Sequence, residues 1–406
     1  MTDKPDSAGA GNTAPDKPFG AVLPWVLFVS FVFVVNYLTR AFFGPLLPGI
    51  EDEFAITHAA STRFLFYMSI GYTASMLLSG PACAVIKPRV LVAASLIFGG
   101  LVFQLMAIAH SIVVLSLLFV VFGLMSGQYF NAGMSVLRSL VRQNQWSKAV
   151  SVHELGPNVG FLLAPLAAEF GSTHFGWRGT VSYMGWMSVA AGLAFFFFSR
   201  GGDEPVGGSV SLKRMATVAR KRTLWLFAWF VGLAIAGQFA PFSILSMHMV
   251  EERALSSDTA ALLVSLSRLS MPFGALIGGV LSARFGTRKT LIACFSIYAL
   301  SLFAMGLPFL TPFIIGMFVQ PLFTAMAFPA LFTMVAEVFP LRRQPIALGL
   351  GVPAGSFFGI GVMPGILGLF GDHVGFAAGF LAMGAIAAAS LFLLRFVPVY
   401  DETMHD

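Results

Sequence analysis

Long apolar stretches dominate the sequence and limit the folds that are open to it. Twelve of them, each about 20 to 30 residues long and therefore able to cross a bilayer, lie between residues 21 and 398. Of the 406 residues, 57% are hydrophobic and only 10% are charged, whereas a soluble domain carries about 25% charged residues. The short alternating segments of a membrane barrel are missing. The sequence therefore predicts an all-α membrane protein with twelve transmembrane helices.

An internal repeat divides these helices into two halves. The segment that starts at Gly80 corresponds to the segment that starts at Gly279, an offset of 199 residues (279 − 80). The same offset relates Gly156 to Gly355, Gly160 to Gly359, Pro165 to Pro364 and Gly176 to Gly375. A constant offset of this length indicates two halves of like fold. We expect two pseudo-symmetric six-helix halves at 21–199 and 224–398, a linker at 200–223, and polar tails at 1–20 and 399–406.

Lysine and arginine are distributed unevenly among the loops. If both termini are cytoplasmic, the outer loops contain only Arg63, Arg178 and Arg253, beside acidic runs at 51–53 and 251–252, and the inner loops contain most other basic residues. This asymmetry predicts that orientation, and we expect the membrane to be a bacterial inner membrane. It also explains the net charge of +6 without a nucleic-acid partner. The expected partners are the lipid bilayer and a small-molecule substrate.

A glycine-rich and basic loop between the eighth and ninth apolar stretches carries a family resemblance. It is similar to the signature G-x-x-x-D-x-x-G-x-R-K of the major facilitator superfamily, except that Ala283 replaces the acid. The matching residues are Gly279, Gly286, Arg288 and Lys289, and the earlier copy of the loop retains Gly80 and Arg89. Two other segments also resemble the superfamily, namely Gly176-Trp177-Arg178 and Glu337-Val338-Phe339-Pro340 with Arg342 and Arg343.

The resemblance implies a monomeric secondary transporter whose two halves rock around a central cavity. It implies no enzymatic activity and no cofactor, and the sequence contains no phosphate-binding loop, catalytic triad or metal motif. The six matching loop residues are then expected to latch the inner side closed while the cavity faces outward. The missing acid at Ala283 predicts a weaker latch.

Two arginines lie within apolar stretches, where a charge costs about 2.5–3.5 kcal/mol. Arg40 follows Asn36 and Tyr37 in a run that resembles N-Y-L-D-R of the organic anion symporter branch, with Thr39 in place of the acid. Arg268 lies near the middle of the eighth stretch, as in superfamily carriers of oxalate, monocarboxylates and nitrate. A guanidinium can bind a carboxylate with two hydrogen bonds. The alternatives are that Arg40 extends to the outer surface or pairs with the acids at 51–53, and that Arg268 pairs with a buried acid.

The fifth stretch carries the candidates for proton coupling, His153 and Glu154. A carboxyl group within a membrane can carry a proton near neutral pH, and an imidazole can do the same. Glu154 can instead pair with Arg89 or Arg142 at the inner surface, or neutralise one of the two membrane-embedded arginines.

Further polar residues complete the candidate substrate site. Asn158 lies one helical turn from Glu154, and Gln128, Asn131 and Gln238 lie in the fourth and seventh stretches. Each can equally form a hydrogen bond between helices. We expect a proton-coupled transporter of a small organic anion such as a carboxylate. Gly156-Pro157-x-x-Gly160 resembles part of a motif of proton-coupled exporters, so export of drugs or siderophore-like compounds is the alternative. A transporter-like sensor is a third reading.

Overall fold

The computed structural model describes residues 18–205, 212–340 and 343–397. Almost all of the predicted tail 1–20, the tail 399–406 and Arg342 lie outside the described residues. Within the described parts the chain consists of helices joined by short turns, with no strand. The backbone therefore satisfies its own hydrogen bonds inside each helix, as a chain in hydrocarbon requires.

The helices of the described residues form twelve spanning segments. Ten segments are long and apolar enough to cross a membrane, and His58–Val85 adds another helix of 28 residues. Lys148–Phe198 has 51 residues and would extend about 75 Å, more than twice the roughly 30 Å hydrocarbon core. It changes direction at Gly176, where φ is 66° and ψ is 171°, and therefore contains two spans.

We number these segments as spans 1 to 12 in chain order, with the bounds that follow. They are Phe19–Phe54, His58–Val85, Pro88–Ala107, Ile112–Leu140, the two parts of Lys148–Phe198 before and after Gly176, Arg222–Glu251, Ser257–Phe285, Thr287–Met305, Leu310–Val338, Gln344–His373 and Phe376–Phe396. A short helix at Leu212–Ala219 precedes span 7. The predicted all-α fold with six spans in each half is confirmed.

The repeat is visible in the backbone as well as in the sequence. Gly176 and Gly375, which are 199 residues apart, have positive φ values of 66° and 101° and join the last two spans of each half. Ala55 and Ala254, also 199 residues apart, have positive φ values of 49° and 52° after the first span of each half. Alanine is strained in this region, so the shared strain marks the same turn built twice.

Several spans lose regular α-helical geometry near their middle. Span 5 is interrupted at Glu154, where ψ is −6°. Span 8 has a 3₁₀ turn at Arg268–Ser270, and span 11 has a π-helical turn at Phe357–Val362. Spans 1 and 4 are interrupted at Phe42 and Gln128. Such irregular turns are frequent at functional sites, and in transporters they free backbone groups near the bilayer midplane.

The polar contacts that join the two halves between described residues lie from one end of the molecule to its middle. At that end His58 is 3.2 Å from Glu251, and Asp372 accepts hydrogen bonds from the start of span 2. Ser257 donates to Glu169 at 2.9 Å. Nearer the middle of the two spans, Thr73 donates a long hydrogen bond of 3.4 Å to the Pro353 carbonyl. We call the end at which the halves are joined the fastened end.

Candidate functional site

Arg40 is buried in span 1 without an acidic partner. Only 3% of its surface is exposed, and its guanidinium lies 4.3 Å from the Tyr37 ring and 4.5 Å from the Tyr72 ring. Its Nε is buried without a hydrogen-bond partner. Among the described acids none forms an ion pair with Arg40. Cation–π contacts of this kind stabilise an arginine by about 1–2 kcal/mol, but they leave its hydrogen-bond donors available.

Arg268 is buried more completely, in the 3₁₀ turn of span 8. It is 1% exposed, and its guanidinium donates a long hydrogen bond of 3.4 Å to the backbone carbonyl of Gln238. Its guanidinium lies 4.8 Å from the Phe242 ring and 5.6 Å from the Phe161 ring. Nε has no hydrogen-bond partner, and no described acid pairs with it. A buried cation without a counter-ion is unfavourable by several kcal/mol.

Both arginines border one aromatic cluster, made of Tyr37, Phe161, Phe239 and Phe242. The Phe161 ring lies 5.2 Å from Tyr37, 4.9 Å from Phe239 and 5.0 Å from Phe242. The cluster combines span 1 and span 5 of one half with span 7 of the other. Arg40 contacts it through Tyr37, and Arg268 contacts it through Phe161 and Phe242. The structure therefore brings the two predicted anion-binding residues to one place between the halves.

The space beside Arg40 is small in this conformation. A cavity between spans 1, 2, 7 and 11 has room for no more than roughly one water molecule. Its lining residues are Arg40, Ala41, Gly44, Leu65, Met68, Phe239, Phe242, Ser243 and Ile360. An organic anion cannot reach Arg40 through this space, which lies on the side of the fastened end.

The amide side chains are mostly engaged in hydrogen bonds between or within helices. The Asn36 amide donates to the Ser126 carbonyl at 3.3 Å, and the Asn131 amide donates to Ser79 in span 2. The Asn158 amide donates to the Glu154 carbonyl of its own helix at 2.9 Å. Gln128 differs, because its Oε1 is buried and has no partner. Gln238 is buried beside Arg268, and its backbone carbonyl accepts the hydrogen bond from Arg268.

His153 and Glu154 form a contact in which one partner is buried and the other is accessible. His153 Nδ1 lies 3.4 Å from the Glu154 carboxylate, and the two side chains are 0% and 49% exposed. His153 Nε2 lies 3.2 Å from the Tyr129 hydroxyl, and its ring stacks on Phe33 at 4.3 Å. Glu154 pairs with none of Arg40, Arg89 and Arg268, all of which the structure describes. An exposed carboxylate is thus in contact with a buried imidazole.

The residues of the expected latch are not in contact with Arg40 or Arg268. Arg89 donates to Asp203, at the start of the linker, at 3.0 Å and to the Phe196 carbonyl of span 6 at 3.1 Å. Neither contact reaches the other half. In the other copy Arg288 and Lys289 are exposed, next to Gly286 with its φ of 85°. Gly80 and Gly279 complete the two copies. Ala283 has no acid to offer, and Thr287 donates instead to Glu337 of span 10 at 2.6 Å.

Several residues of the site were missed from the sequence. Tyr72 holds Arg40 from span 2, and Phe161, Phe239 and Phe242 form most of the aromatic cluster. The repeat offered one signal, because the offset of 199 residues places Phe239 opposite Arg40. Phe161 and Phe242 are two phenylalanines among 43, and Tyr72 is one of seven tyrosines; nothing in their spacing separates them from residues that face lipid.

Comparison with known proteins agrees with this architecture. A family model described as Major Facilitator Superfamily matches residues 29–243 and 227–404. The chain is 25% identical over 360 residues to an uncharacterized MFS-type transporter, YtbD of Bacillus subtilis, covering 84% of this chain and 88% of that protein. It is 22% identical to the hexuronate transporter of the same organism, covering 92% and 94%.

The likeness to solved structures concerns the fold alone. The crystal structure of a bacterial homologue of the human lysosomal transporter Spinster, in an inward-facing and unoccupied conformation, superposes with a TM-score of 0.77 at 14% identity. The match covers 94% of this chain and 98% of that one.

Proposed function

Since the chain belongs to the major facilitator superfamily, we propose that it is a secondary active transporter of a small organic anion bound by Arg40 and Arg268. The single observation that carries the proposal is the pair of buried arginines without acidic partners beside one aromatic cluster. An anion between the halves would supply the missing counter-charge and accept hydrogen bonds from the free N–H groups. The aromatic rings would contact the apolar part of the same molecule.

The similarity to a hexuronate transporter supports an anionic substrate, because a hexuronate is a sugar carboxylate. At 22% identity it does not define which carboxylate this chain carries. The glycines of the exporter-like segment pack against span 1, where a Cβ on Gly160 would lie 3.0 Å from the Tyr37 Cβ. Close packing of this kind suits an importer and an exporter equally, so it does not favour the export alternative.

A proton gradient is the energy source that we propose, with Glu154 and His153 as the coupling residues. Glu154 is accessible and contacts buried His153, so a proton can enter at the carboxylate and be held at the imidazole. With both termini in the cytoplasm, as the loop charges predict, the fastened end faces outward. The conformation described above, in which the halves are joined at that end, is then closed to the outside.

Binding measurements on purified protein test the anion site. Isothermal titration and thermal shift would compare glucuronate, galacturonate, short mono- and dicarboxylates, nitrate, nucleosides and tetraphenylphosphonium. Each would be measured with wild type, Arg268→Gln and Arg40→Gln, and with Arg63→Gln as the matched control, since Arg63 is exposed in span 2. Hydrogen bonds to a charged group contribute about 1.5–3 kcal/mol, so each site variant is expected to weaken carboxylate binding by about 10- to 150-fold.

The control variant should bind as wild type does. If tetraphenylphosphonium alone binds and the arginine variants bind it unchanged, the anion site is wrong and export of lipophilic cations replaces it. If nucleosides alone bind, the two arginines have a structural role and the substrate class must be revised.

A further inference from the structure

A histidine lies between two carboxylates at the fastened end. His58 is the first residue of span 2, and its Nδ1 lies 2.8 Å from a carboxylate oxygen of Glu51 in span 1. Its Nε2 lies 3.2 Å from a carboxylate oxygen of Glu251, the last residue of span 7. Glu51 belongs to the same half as His58, whereas Glu251 belongs to the other half. The imidazole therefore connects the two halves directly.

This arrangement requires a proton that a neutral imidazole between two carboxylates does not have. A neutral imidazole carries one N–H and one lone pair, and an ionised carboxylate can only accept hydrogen bonds. Both short contacts are therefore satisfied only if the ring is an imidazolium or if one carboxyl group is protonated. Either form holds one additional proton. Without it, a ring lone pair faces a carboxylate oxygen and one of the contacts is repulsive.

The charged side chains that contact His58 directly are carboxylates, while His248, Glu252 and Arg253 lie behind the Phe376 ring and contact one another. Asp372 of span 11 accepts hydrogen bonds from the backbone N–H groups of His58 and Ala59, at 2.8 and 3.0 Å. Glu51 also accepts from Ser61 of span 2, and the Phe376 ring lies 5.0 Å from the imidazole. Three carboxylates from spans 1, 7 and 11 thus surround His58.

No other described cation compensates these carboxylates. In span 1, Asp52 is exposed and Glu53 is paired with Arg178. Arg63 of span 2 is exposed and takes part in no ion pair of the described residues. The proton on the cluster around His58 is therefore what balances the contact between Glu51 and Glu251.

We propose that one proton, shared by His58, Glu51 and Glu251, fastens the two halves at this end, so that acid on that side of the membrane favours the described conformation. Glu251 is the partner that leaves on deprotonation, because its side chain is 45% exposed whereas that of Glu51 is 10% exposed. The two hydrogen bonds that Asp372 accepts from backbone N–H groups remain. Loss of the proton thus weakens the contact between the halves without abolishing it.

The direction of the pH dependence follows from linkage. The proton is bound more tightly when the halves are fastened, so the fastened state is favoured at low pH and loses this advantage as the pH rises through the titration of the cluster. One linked proton changes the ratio of fastened to separated molecules by at most about tenfold per pH unit. The distance between the halves would therefore be measured from about pH 5 to 8, the interval in which histidine side chains commonly change charge.

Distance measurements between the halves test this proposal without a substrate. Nitroxide labels would be attached to Ser111→Cys and Leu310→Cys, two exposed positions at the fastened end that are 199 residues apart. The native thiols, Cys83 and Cys294, are buried and would be replaced by alanine. Double electron–electron resonance on the full chain in nanodiscs should show one short distance at low pH. A longer distance should gain population as the pH rises.

The same measurement on variants separates this site from other titrating groups. His58→Gln and Glu251→Gln are each expected to give a distribution that does not change with pH, so one well-folded variant is sufficient. His174→Gln is the matched control, because His174 is exposed and its ring contacts remain within its own half; it should respond to pH as wild type does. A pH response that persists in His58→Gln overturns the proposal, as does a wild-type distribution that is constant from pH 5 to 8. The proposal depends on relative movement of the halves and not on an anionic substrate, so either can fail alone.

Discussion

Replacement of Arg268 by methionine should stabilise the protein in the absence of ligand and weaken anion binding. Arg268 is 1% exposed, its Nε has no partner, and its hydrogen bond to the Gln238 carbonyl is 3.4 Å long. Burial of one ion is unfavourable by several kcal/mol. The contact with Phe242 at 4.8 Å offsets about 2 kcal/mol of this cost, and the long hydrogen bond offsets about 1 kcal/mol at most.

Methionine fills a similar volume and introduces no charge, so a net stabilisation of about 1–3 kcal/mol is expected, within the range observed when buried ions are replaced by apolar residues. For a chain of this size the apparent melting temperature should rise by about 1–5 °C. Thermal unfolding of the purified, ligand-free protein, followed by intrinsic fluorescence at one scan rate, measures the shift.

Arg178→Met is the control, and it should change the stability in the opposite direction. Arg178 is paired with Glu53 at 2.5 Å and donates to the carbonyls of Ala107 and Ala109 at 2.8 and 2.6 Å. Its loss removes the cation from the Glu53 carboxylate, which keeps only the Trp177 indole N–H as a donor, and removes the donor from two carbonyls, so this variant should be less stable by about 1–2 kcal/mol after allowance for partial exposure. If Arg268→Met lowers the melting temperature as Arg178→Met does, Arg268 is a structural residue and the reasoning for an anion site is refuted.

Two further predictions concern movement and energy coupling. In Gly361→Ala the new methyl group would lie 2.0 Å from the Ser69 hydroxyl of the other half, so the fastened state should lose population in the distance measurement. In the control, Gly365→Ala, the new methyl group meets nothing within 4 Å, and this variant should behave as wild type. Equal distance distributions for the two variants would contradict the close contact. Glu154→Gln should retain anion binding and exchange in proteoliposomes but lose uptake driven by a proton gradient. Gradient-driven uptake at the wild-type rate would exclude Glu154 as a coupling residue.

The fold was predictable from the sequence because hydrophobic length and repeat spacing are local or periodic properties. Twelve spans follow from the lengths of the apolar stretches, and the pairing of Gly176 with Gly375 already locates the last turn of each half. The depth of Arg268 follows in the same way from its position in span 8. What the sequence could not supply is the set of neighbours that each polar side chain meets in space.

The contacts of Arg40 illustrate this limit. Its neighbour Tyr37 is visible one helical turn away, but Tyr72 approaches from another span, and no periodicity relates the two. Similarly, Asn131 is a plausible ligand in isolation, yet its amide donates to Ser79 across a helix interface. His58 attracted no notice in the sequence, because its two carboxylates lie in different halves.

The short turns at Gly176 and Gly375 have a consequence for how the chain enters a membrane. Each joins two spans with one residue of positive φ, and the spans pack closely beside the turn, where a Cβ on Gly171 would lie 2.4 Å from the Thr180 hydroxyl. We expect two spans joined so tightly to leave the insertion machinery together, as a hairpin. Each half is therefore completed by the arrival of one hairpin, and a side chain at either glycine, which costs about 1–2 kcal/mol in that backbone region, would delay biogenesis before it affected the finished protein.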